Sequence, residues 1–265
     1  MRGMDSYKLT GKDLLYIIPL GDIHRGNPGC NYEYLDYWVK MVKKIKNPKM
    51  FILMGDLIEV GSKHVGSSIA KQNRSADTQV IETEDFLDPF IDDTKVMIAG
   101  NHKKRLEREF DLSLVRLMSH HLDIPYANQY RETFLINDKP FTIHASHGKT
   151  SNKHAHLAQG AMIRDTTHIH ADLFLQGHNH RLDWFTNPLF DTNAYKGLGR
   201  RFYGFSGAFL NYDGYPDDME LPPLPPAFQF ITLDKHLHLN NIDYLIDQRL
   251  PDAMEDFNEL ALRRG

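Results

Sequence analysis

The stretch MFILMGDLIE, residues 50–59, shows the pattern on which this sequence is built: a run of apolar residues, then a glycine, then a carboxylate. An apolar run of this length predicts a β-strand that is buried on both faces. Gly55 permits a sharp turn after the strand, and Asp56 follows it directly. The stretch therefore predicts a buried strand that delivers a carboxylate to the loop at its carboxyl end.

Four other apolar runs lead to short polar motifs in the same way. The motifs are GDIH at residues 21–24, GNH at 100–102, SHG at 146–148 and GHNH at 177–180. Helix-like stretches, with apolar residues three and four positions apart, occur at 32–45, 77–90, 112–121 and 158–167. Strands that alternate with helices predict a layered α/β fold, in which ligands usually bind at the carboxyl ends of the strands.

The pattern changes after residue 180. Short segments at residues 182–186, 201–205, 228–233 and 236–245 predict antiparallel strands, which would form a second sheet packed on the first. The run LPPLPP at 221–226 predicts a stiff surface connection, with a polyproline recognition segment as the alternative. Residues 253–263 predict a short helix. We expect one domain over residues 1–265, with a motif-bearing core at 14–186 and further strands and a tail at 187–265.

The composition narrows the class of protein. The chain has 265 residues, and 31 basic against 35 acidic residues give a net charge of −4, so no overall positive field attracts it to nucleic acid or membranes. Cys30 is the only cysteine, which excludes an intrachain disulfide and favours a reducing compartment. Since the apolar runs are too short to cross a bilayer, we expect a cytoplasmic protein without membrane contacts. The sequence leaves the oligomeric state open.

Several motif side chains are suitable ligands for divalent metals. Asp22 and His24 are separated by one residue at a strand end, so both can point into one site. His178 and His180 have the same spacing and could bind adjacent ions. Carboxylates and imidazoles suit Mn, Fe, Zn and similar ions, and two adjacent cations can clamp a phosphoryl group during its transfer. The motifs together therefore predict a hydrolytic site with two metals.

Two further motifs allow more than one interpretation. The two oxygens of Asp56 could bridge a pair of cations; alternatively, Asp56 caps a helix and Glu59 completes a capping box. The amide oxygen of Asn101 could bind a metal, and the imidazole of His102 could protonate a leaving oxygen, although an Asn-His pair in a turn is often structural.

The histidines from residue 144 to residue 170 need a separate interpretation. His147 lies beyond its strand, whereas His144 lies inside it, so His147 is favoured as the functional residue because functional groups lie more often on loops. We expect the others to lie on a solvated surface or to orient the ligands; these are His154, His156, His168 and His170.

Taken in order, the five motifs resemble those of the calcineurin-like metallophosphoesterase superfamily over residues 14–186. The resemblance implies a four-layer α-β-β-α sandwich with two mixed β-sheets flanked by helices. It also implies two divalent metal ions bridged by Asp56, with Mn as the first candidate and Fe, Zn, Ni or Mg as alternatives. The first ion would be completed by Asp22, His24 and His180. The second would be completed by Asn101, His147 and His178.

The same resemblance implies hydrolysis of a phosphate ester, in which a metal-bound hydroxide attacks phosphorus and His102 acts as general acid. The family usually has an acidic residue directly after the Asn-His pair, whereas this sequence has Lys103. A carboxylate that orients His102 would therefore come from elsewhere. The candidates are Glu59, Glu107 and Asp111.

Basic residues near the motifs favour a phosphodiesterase or nuclease that acts on DNA, RNA or a nucleotide. Lys103, Arg105 and Lys149 are the expected substrate contacts. The alternative is that residues 103–108 begin a solvated helix, whose charge neighbouring glutamates offset. Arg105 and the segment 146–149 also resemble the phage-type branch of the superfamily, which would place the protein in a host cytoplasm. The alternative functions are a phosphomonoesterase or protein phosphatase, and a non-catalytic metal-binding scaffold.

Overall fold

Twelve strands and four α-helices occur in the part of the chain that the computed structural model describes, namely residues 5–60, 72–101, 111–149, 154–189, 199–211 and 224–245. The strands are β1 (Ser6–Tyr7), β2 (Leu15–Leu20), β3 (Lys49–Leu53), β4 (Thr94–Ile98), β5 (Tyr126–Ala127), β6 (Gln129–Ile136), β7 (Lys139–Ser146), β8 (Leu173–Gln176), β9 (Leu182–Leu189), β10 (Gly199–Ala208), β11 (Ala227–Leu233) and β12 (Leu239–Leu245). The helices are α1 (Tyr32–Lys44), α2 (Ala76–Leu87), α3 (Leu114–His121) and α4 (Ala155–Thr166).

The strands form a large mixed sheet in the order β1-β6-β7-β8-β10-β11-β2-β3-β4-β5, with β9 paired to β10 and β12 to β11. β2, β3, β4 and β5 are parallel neighbours, and β7, β8 and β10 form a second parallel group. β11 joins the two groups because it pairs antiparallel with both β2 and β10. Within each group, the carboxyl ends of the strands lie at one edge, where the polar motifs follow them.

The two parallel groups share a buried apolar core. One cluster contains Ile17 and Ile52, from β2 and β3, together with Phe134, Ile143 and Leu175, from β6, β7 and β8. Two further clusters lie under the helices, one beneath α1, α2 and α3 and the other beneath α4. The strands that carry the motifs are therefore held on both sides by packed side chains.

Helix α1 illustrates how the local sequence fixes these elements. The side chain of Asn31 accepts a hydrogen bond from the Tyr34 backbone N–H at 2.9 Å, which caps the first turn. Spacings of three and four residues then place a buried stripe along one face; it comprises Tyr34, Leu35, Trp38, Met41 and Val42. The helix therefore begins and packs as the periodicity predicts.

All five motif strands are present, as are the helices expected at 32–45, 77–90, 112–121 and 158–167, with shifted ends. The strands expected after residue 180 are present and pair antiparallel with one another, β9 with β10, β10 with β11 and β11 with β12. They differ from expectation because β10 also pairs parallel with β8, so they continue the same sheet. The last predicted strand starts at Leu239, after a turn closed by Asp234. Residues 221–223 of the proline run and the helix expected at 253–263 lie outside the described residues. Among the helices of the described ranges, none has the length and apolar character to span a membrane.

Candidate metal centre

The loops after β2, β3 and β8 place motif side chains by an unusual backbone conformation. Five potential metal ligands there have positive φ: Asp22 (49°), His24 (51°), Asp56 (47°), His178 (66°) and His180 (54°). This conformation costs on the order of 1–3 kcal/mol at each such residue and persists only where the surrounding structure holds it. Hydrogen bonds from the Asp22 N–H to Gly55 O (3.0 Å) and from the His24 N–H to Asp56 O (2.9 Å) tie the first two loops together.

Asp22, His24 and His180 form the first group of potential metal ligands. The Nε2 atoms of His24 and His180 lie 3.1 Å apart. The Oδ1 atom of Asp22 lies 3.7 Å from His24 Nε2 and 3.4 Å from His180 Nε2. Asp22 and His24 are buried, and His180 is half-buried. Three ligand atoms that converge in this way could hold one divalent cation.

Asp56, His147 and His178 form the second group. The Nε2 atom of His147 lies 3.0 Å from Asp56 Oδ2, and one ligand atom from each of the three residues lies within 4.8 Å of the others. The groups adjoin, because Asp22 Oδ2 accepts a hydrogen bond from the His178 backbone N–H at 2.9 Å. The arrangement could therefore hold two neighbouring cations.

Two histidines are oriented so that Nε2 faces the centre. His24 Nδ1 lies 2.8 Å from Glu59 Oε2, and His147 Nδ1 donates to the carbonyl oxygen of Met54 at 2.8 Å. A partner at one ring nitrogen fixes the tautomer and leaves the other nitrogen for a metal. Each of these histidines therefore has the outer contact that metal-ligating histidines usually have.

Buried polar atoms in the centre fit a divalent cation. Asp22 Oδ1 and His147 Nε2 are buried, and among the described residues the polar atoms that approach them belong to other potential ligands, such as Asp56 Oδ2 at 3.0 Å from His147 Nε2. Burying so many polar and ionisable groups together is costly unless something compensates them, and two carboxylates with four imidazoles are a donor set for Mn, Fe or Zn. The residues present therefore suit metal binding.

Without metal, the centre holds protons tightly. Burial opposes charge on His24, but contacts with Asp22 and Glu59 outweigh it and raise its pKa to about 10. Burial likewise opposes charge on His147, whose contact with Asp56 raises its pKa to about 9. Burial would raise the pKa of Asp22, yet contacts with His180 and His24 hold that pKa well below its usual range. At neutral pH, His24 and His147 are thus protonated in the metal-free protein.

We therefore expect metal loading to release about two protons at pH 7.5, because both imidazoles must be neutral to bind metal. Because the pKa values of both imidazoles are raised, protons compete with the metal at neutral pH and below. Metal affinity should therefore fall as the pH falls, by up to about tenfold per pH unit for each displaced proton. Isothermal titration in two non-coordinating buffers of different ionisation enthalpy measures the release. Equal heats in both buffers would contradict the expectation.

Gly100 packs against the second group. A side-chain carbon added there would collide with Oδ1 and the backbone nitrogen of Asp56. We expect Gly100→Ala to displace Asp56 and lower the metal content, measured after dialysis. Gly160→Ala is the matched control: an added carbon has open space on helix α4, and alanine should stabilise that helix by about 0.5–1 kcal/mol without changing metal content. Full metal content in Gly100→Ala would show that Asp56 tolerates the shift.

Other residues singled out in the sequence have different outcomes. Asn101 is exposed and follows Gly100 directly. Lys149 is exposed and follows Gly148 in the loop after β7. His102, Lys103 and Arg105 lie outside the described residues, so their roles stay predictions.

The structure separates the two histidines of the β7 region. His147 lies in the second group, whereas the buried ring of His144 packs beside Phe174 with ring centroids 5.8 Å apart. Burial and the nearby Arg131 lower the pKa of His144. The remaining histidines near the motifs are exposed and outside both groups; they are His154, His156, His168 and His170.

Glu59 has a role that the sequence pattern did not reveal. The helix-cap interpretation of Asp56 is wrong, because residues 56–60 are not helical and Asp56 has positive φ. Glu59 instead contacts His24. Its spacing from Asp56 suggested a capping box, and no spacing within either loop indicates its contact with His24.

An α/β fold with adjoining groups of metal-ligand side chains at its strand ends defines a class of metal-dependent hydrolases. A sequence profile described as "Calcineurin-like phosphoesterase" matches residues 15–215. The chain therefore belongs to the calcineurin-like phosphoesterase family, whose members bind divalent metals and hydrolyse phosphate esters. Comparison with curated proteins gives no match.

Three of the solved structures to which the chain is similar have low sequence identity with it. A conserved uncharacterised protein of Streptococcus pneumoniae, described as a predicted phosphoesterase, is 11% identical with a TM-score of 0.39, over 88% of this chain and 98% of that one. A single mutant of Vps29 from Entamoeba histolytica is 13% identical with a TM-score of 0.44, over 86% and 99% of the two chains. Wild-type Vps29 from the same organism, complexed with Zn²⁺, is 12% identical with a TM-score of 0.40, over 88% and 99%.

Proposed function

We propose that this protein is a phosphodiesterase or nuclease that uses two divalent metal ions. The observation that carries the proposal is the contact between the two groups, in which Asp22 belongs to the first and also accepts a hydrogen bond from His178 of the second. Because the groups adjoin, both ions could contact one phosphoryl group. The first ion would be held by Asp22, His24 and His180. The second would be held by Asp56, Asn101, His147 and His178, with Asp56 as the bridge.

Charge in the centre favours a phosphate substrate. When bound, two divalent ions would polarise the phosphoryl oxygens and supply a nucleophile from water at neutral pH. Asp22 and Asp56 carry only part of the opposing charge, and neutral imidazoles add none. The loaded centre would therefore remain positive and attract an anionic ester. Glu59 keeps the ring of His24 turned towards the centre, and the carbonyl of Met54 does the same for His147.

The remaining chemistry is assigned to residues of the GNH motif and to the basic residues that follow the GNH and SHG motifs in the sequence. We propose that His102 protonates the leaving oxygen, a step that needs an imidazole within hydrogen-bond reach of the ester. Lys103, Arg105 and Lys149 would contact the substrate phosphates. These basic residues support a phosphodiester substrate such as DNA, RNA or a nucleotide, since phosphate contacts of this kind are largely electrostatic. A local basic cluster can make such contacts even though the protein has a net negative charge.

Several finer assignments belong to the same proposal. We propose Mn as the metal, a phage-type member of the family, and a cytoplasmic location, in the host cell if the protein is phage-encoded. The shared core between the two parallel groups and the clusters beneath the helices support a four-layer α-β-β-α sandwich within a single domain.

Hydrolysis of bis-para-nitrophenyl phosphate by metal-stripped protein, with and without added Mn, tests the function. We expect turnover only with metal. A parallel assay with para-nitrophenyl phosphate separates a diesterase from a monoesterase, and single- and double-stranded DNA and RNA then narrow the substrate. Turnover of the monoester alone would move the assignment to a phosphomonoesterase. Two bound metals without any turnover would indicate a scaffold.

A further inference from the structure

Gln79, on helix α2, is completely buried although its side chain is polar. Its Oε1 atom accepts hydrogen bonds from the backbone N–H groups of Glu59 and Val60, both at 3.1 Å. Its Nε2 atom donates to the carbonyl oxygen of Arg74 at 3.0 Å and to Gln72 Oε1 at 3.1 Å. A glutamine amide offers two donor hydrogens and one oxygen with two lone pairs, so every hydrogen-bonding position of this side chain is used.

The contact with Glu59 leads directly to the candidate metal centre. Gln79 holds the backbone from which the Glu59 side chain extends, and Glu59 Oε2 lies 2.8 Å from His24 Nδ1. Glu59 and His24 are each at least 96% buried, which leaves little room for another rotamer. The Glu59 N–H also donates to the Arg25 carbonyl oxygen at 2.9 Å, so the same peptide group joins both loops.

Close packing against the first loop gives Gln79 a second contact with the centre. Gly26, two residues after His24, has φ of +97°, and a side-chain carbon added there would collide with the Gln79 side-chain amide. The Gln79 amide therefore fills the space between the two loops that carry His24 and Glu59. Helix α2 begins with a Ser75 cap and is anchored by packing, which gives this amide a fixed position.

We propose that Gln79 is a positioning residue that acts through Glu59 to orient His24, and so sets the affinity of the ion held by Asp22, His24 and His180. The proposal rests on the metal centre described under the proposed function. The orientation of an imidazole ligand depends on the partner of its other ring nitrogen, and loss of such a partner usually lowers metal affinity about 10–100-fold. His147 is oriented by the Met54 carbonyl instead, so the second ion should not depend on Gln79.

The test is the metal content and metal affinity of Gln79→Met, which keeps the length of the side chain and removes its hydrogen bonds. After dialysis against a fixed low concentration of Mn²⁺, we expect about one equivalent where the wild type retains two, and an affinity for the lost ion reduced at least about tenfold. Gln159→Met is the matched control, because Gln159 lies on α4 and bonds to Asp183, and neither residue belongs to a ligand group. It should retain two equivalents.

A double-mutant cycle separates positioning from general destabilisation. In a His24→Ala background, Gln79→Met should cause no further loss of Mn²⁺ affinity, because its route to the metal is already removed. Gln79→Asn, which keeps an amide one carbon shorter, is the second variant and should show the same selective loss if Gln79→Met fails to fold.

Three outcomes are distinct. Two retained equivalents in folded Gln79→Met or Gln79→Asn would overturn the positioning role while leaving the metal centre intact. An equal affinity loss with and without His24 would also overturn it. A wild-type protein that binds no Mn²⁺, Zn²⁺ or Fe²⁺ would overturn the proposed metal centre itself.

Discussion

Asp56→Ala should abolish stable binding of the metal pair and lower phosphodiester hydrolysis by more than about a hundredfold. Loss of a residue that merely orients a ligand costs about 10–100-fold, and Asp56 is proposed to contact both ions directly. Asp56 is also buried against His147, with 3.0 Å between Asp56 Oδ2 and His147 Nε2. The variant therefore removes both a ligand and the negative charge that the centre needs. Metal content by plasma emission spectrometry and hydrolysis of bis-para-nitrophenyl phosphate are the measurements.

Asp85→Ala provides the control for this substitution, because Asp85 is an exposed carboxylate on helix α2. It should retain both metals and full turnover. Circular dichroism melts of both variants establish whether they are folded. If folded Asp56→Ala retained two equivalents and wild-type turnover, Asp56 would not be the bridge.

His102→Ala should keep both metals and lose most of the turnover, about 10²–10⁴-fold for an ester with a poor leaving group. The reason is that His102 is proposed to donate a proton to the leaving oxygen and not to bind an ion. An ester that releases para-nitrophenolate needs this proton much less than one that releases an alkoxide. We therefore expect a steeper dependence of rate on leaving-group pKa in the variant, measured with a series of aryl and alkyl diesters.

His120→Ala is the matched control, since His120 is an exposed histidine at the end of α3 and belongs to neither ligand group. Its rate and metal content should equal those of the wild type. Loss of a metal equivalent in His102→Ala would show that His102 is a ligand. An unchanged dependence on the leaving group would show that another residue supplies the proton.

The elements that are best predicted from the sequence are strands in which nearly every residue is buried. The run at residues 50–54 is apolar throughout because β3 is buried on both faces, and a run of this length is typical of such a strand. β6 is different: in QYRETFLI the buried residues Tyr130, Phe134 and Ile136 lie on one face, but a glutamate interrupts that face and a leucine lies on the other, so the apolar pattern does not identify the strand. Its existence depends on pairing with β7, which a local pattern does not contain.

The same limit applies to the candidate centre. The motifs predicted that their metal-ligand side chains lie together, because parallel strands bring their carboxyl ends to one edge. The division into two groups was implied by the family resemblance, and the structure brings together Asp22, His24 and His180 in one group and Asp56, His147 and His178 in the other. The partners of these residues could not be identified in that way. Glu59 meets His24 from 35 positions along the chain, and Gln79 reaches Glu59 from a helix whose position depends on packing. Contacts between separate loops have no signature in the spacing of residues within either loop.

Each ligand group combines residues from both ends of the matched region. Asp22 and His180 are separated by 158 positions, and Asp56 and His178 by 122. A cation bound by either group would therefore act as a non-covalent cross-link between the segment before residue 60 and the segment after residue 140. Because it binds the folded state alone, it would stabilise the whole chain by an amount that rises with the logarithm of free metal concentration. We therefore expect the resistance of this protein to unfolding to depend on the supply of metal.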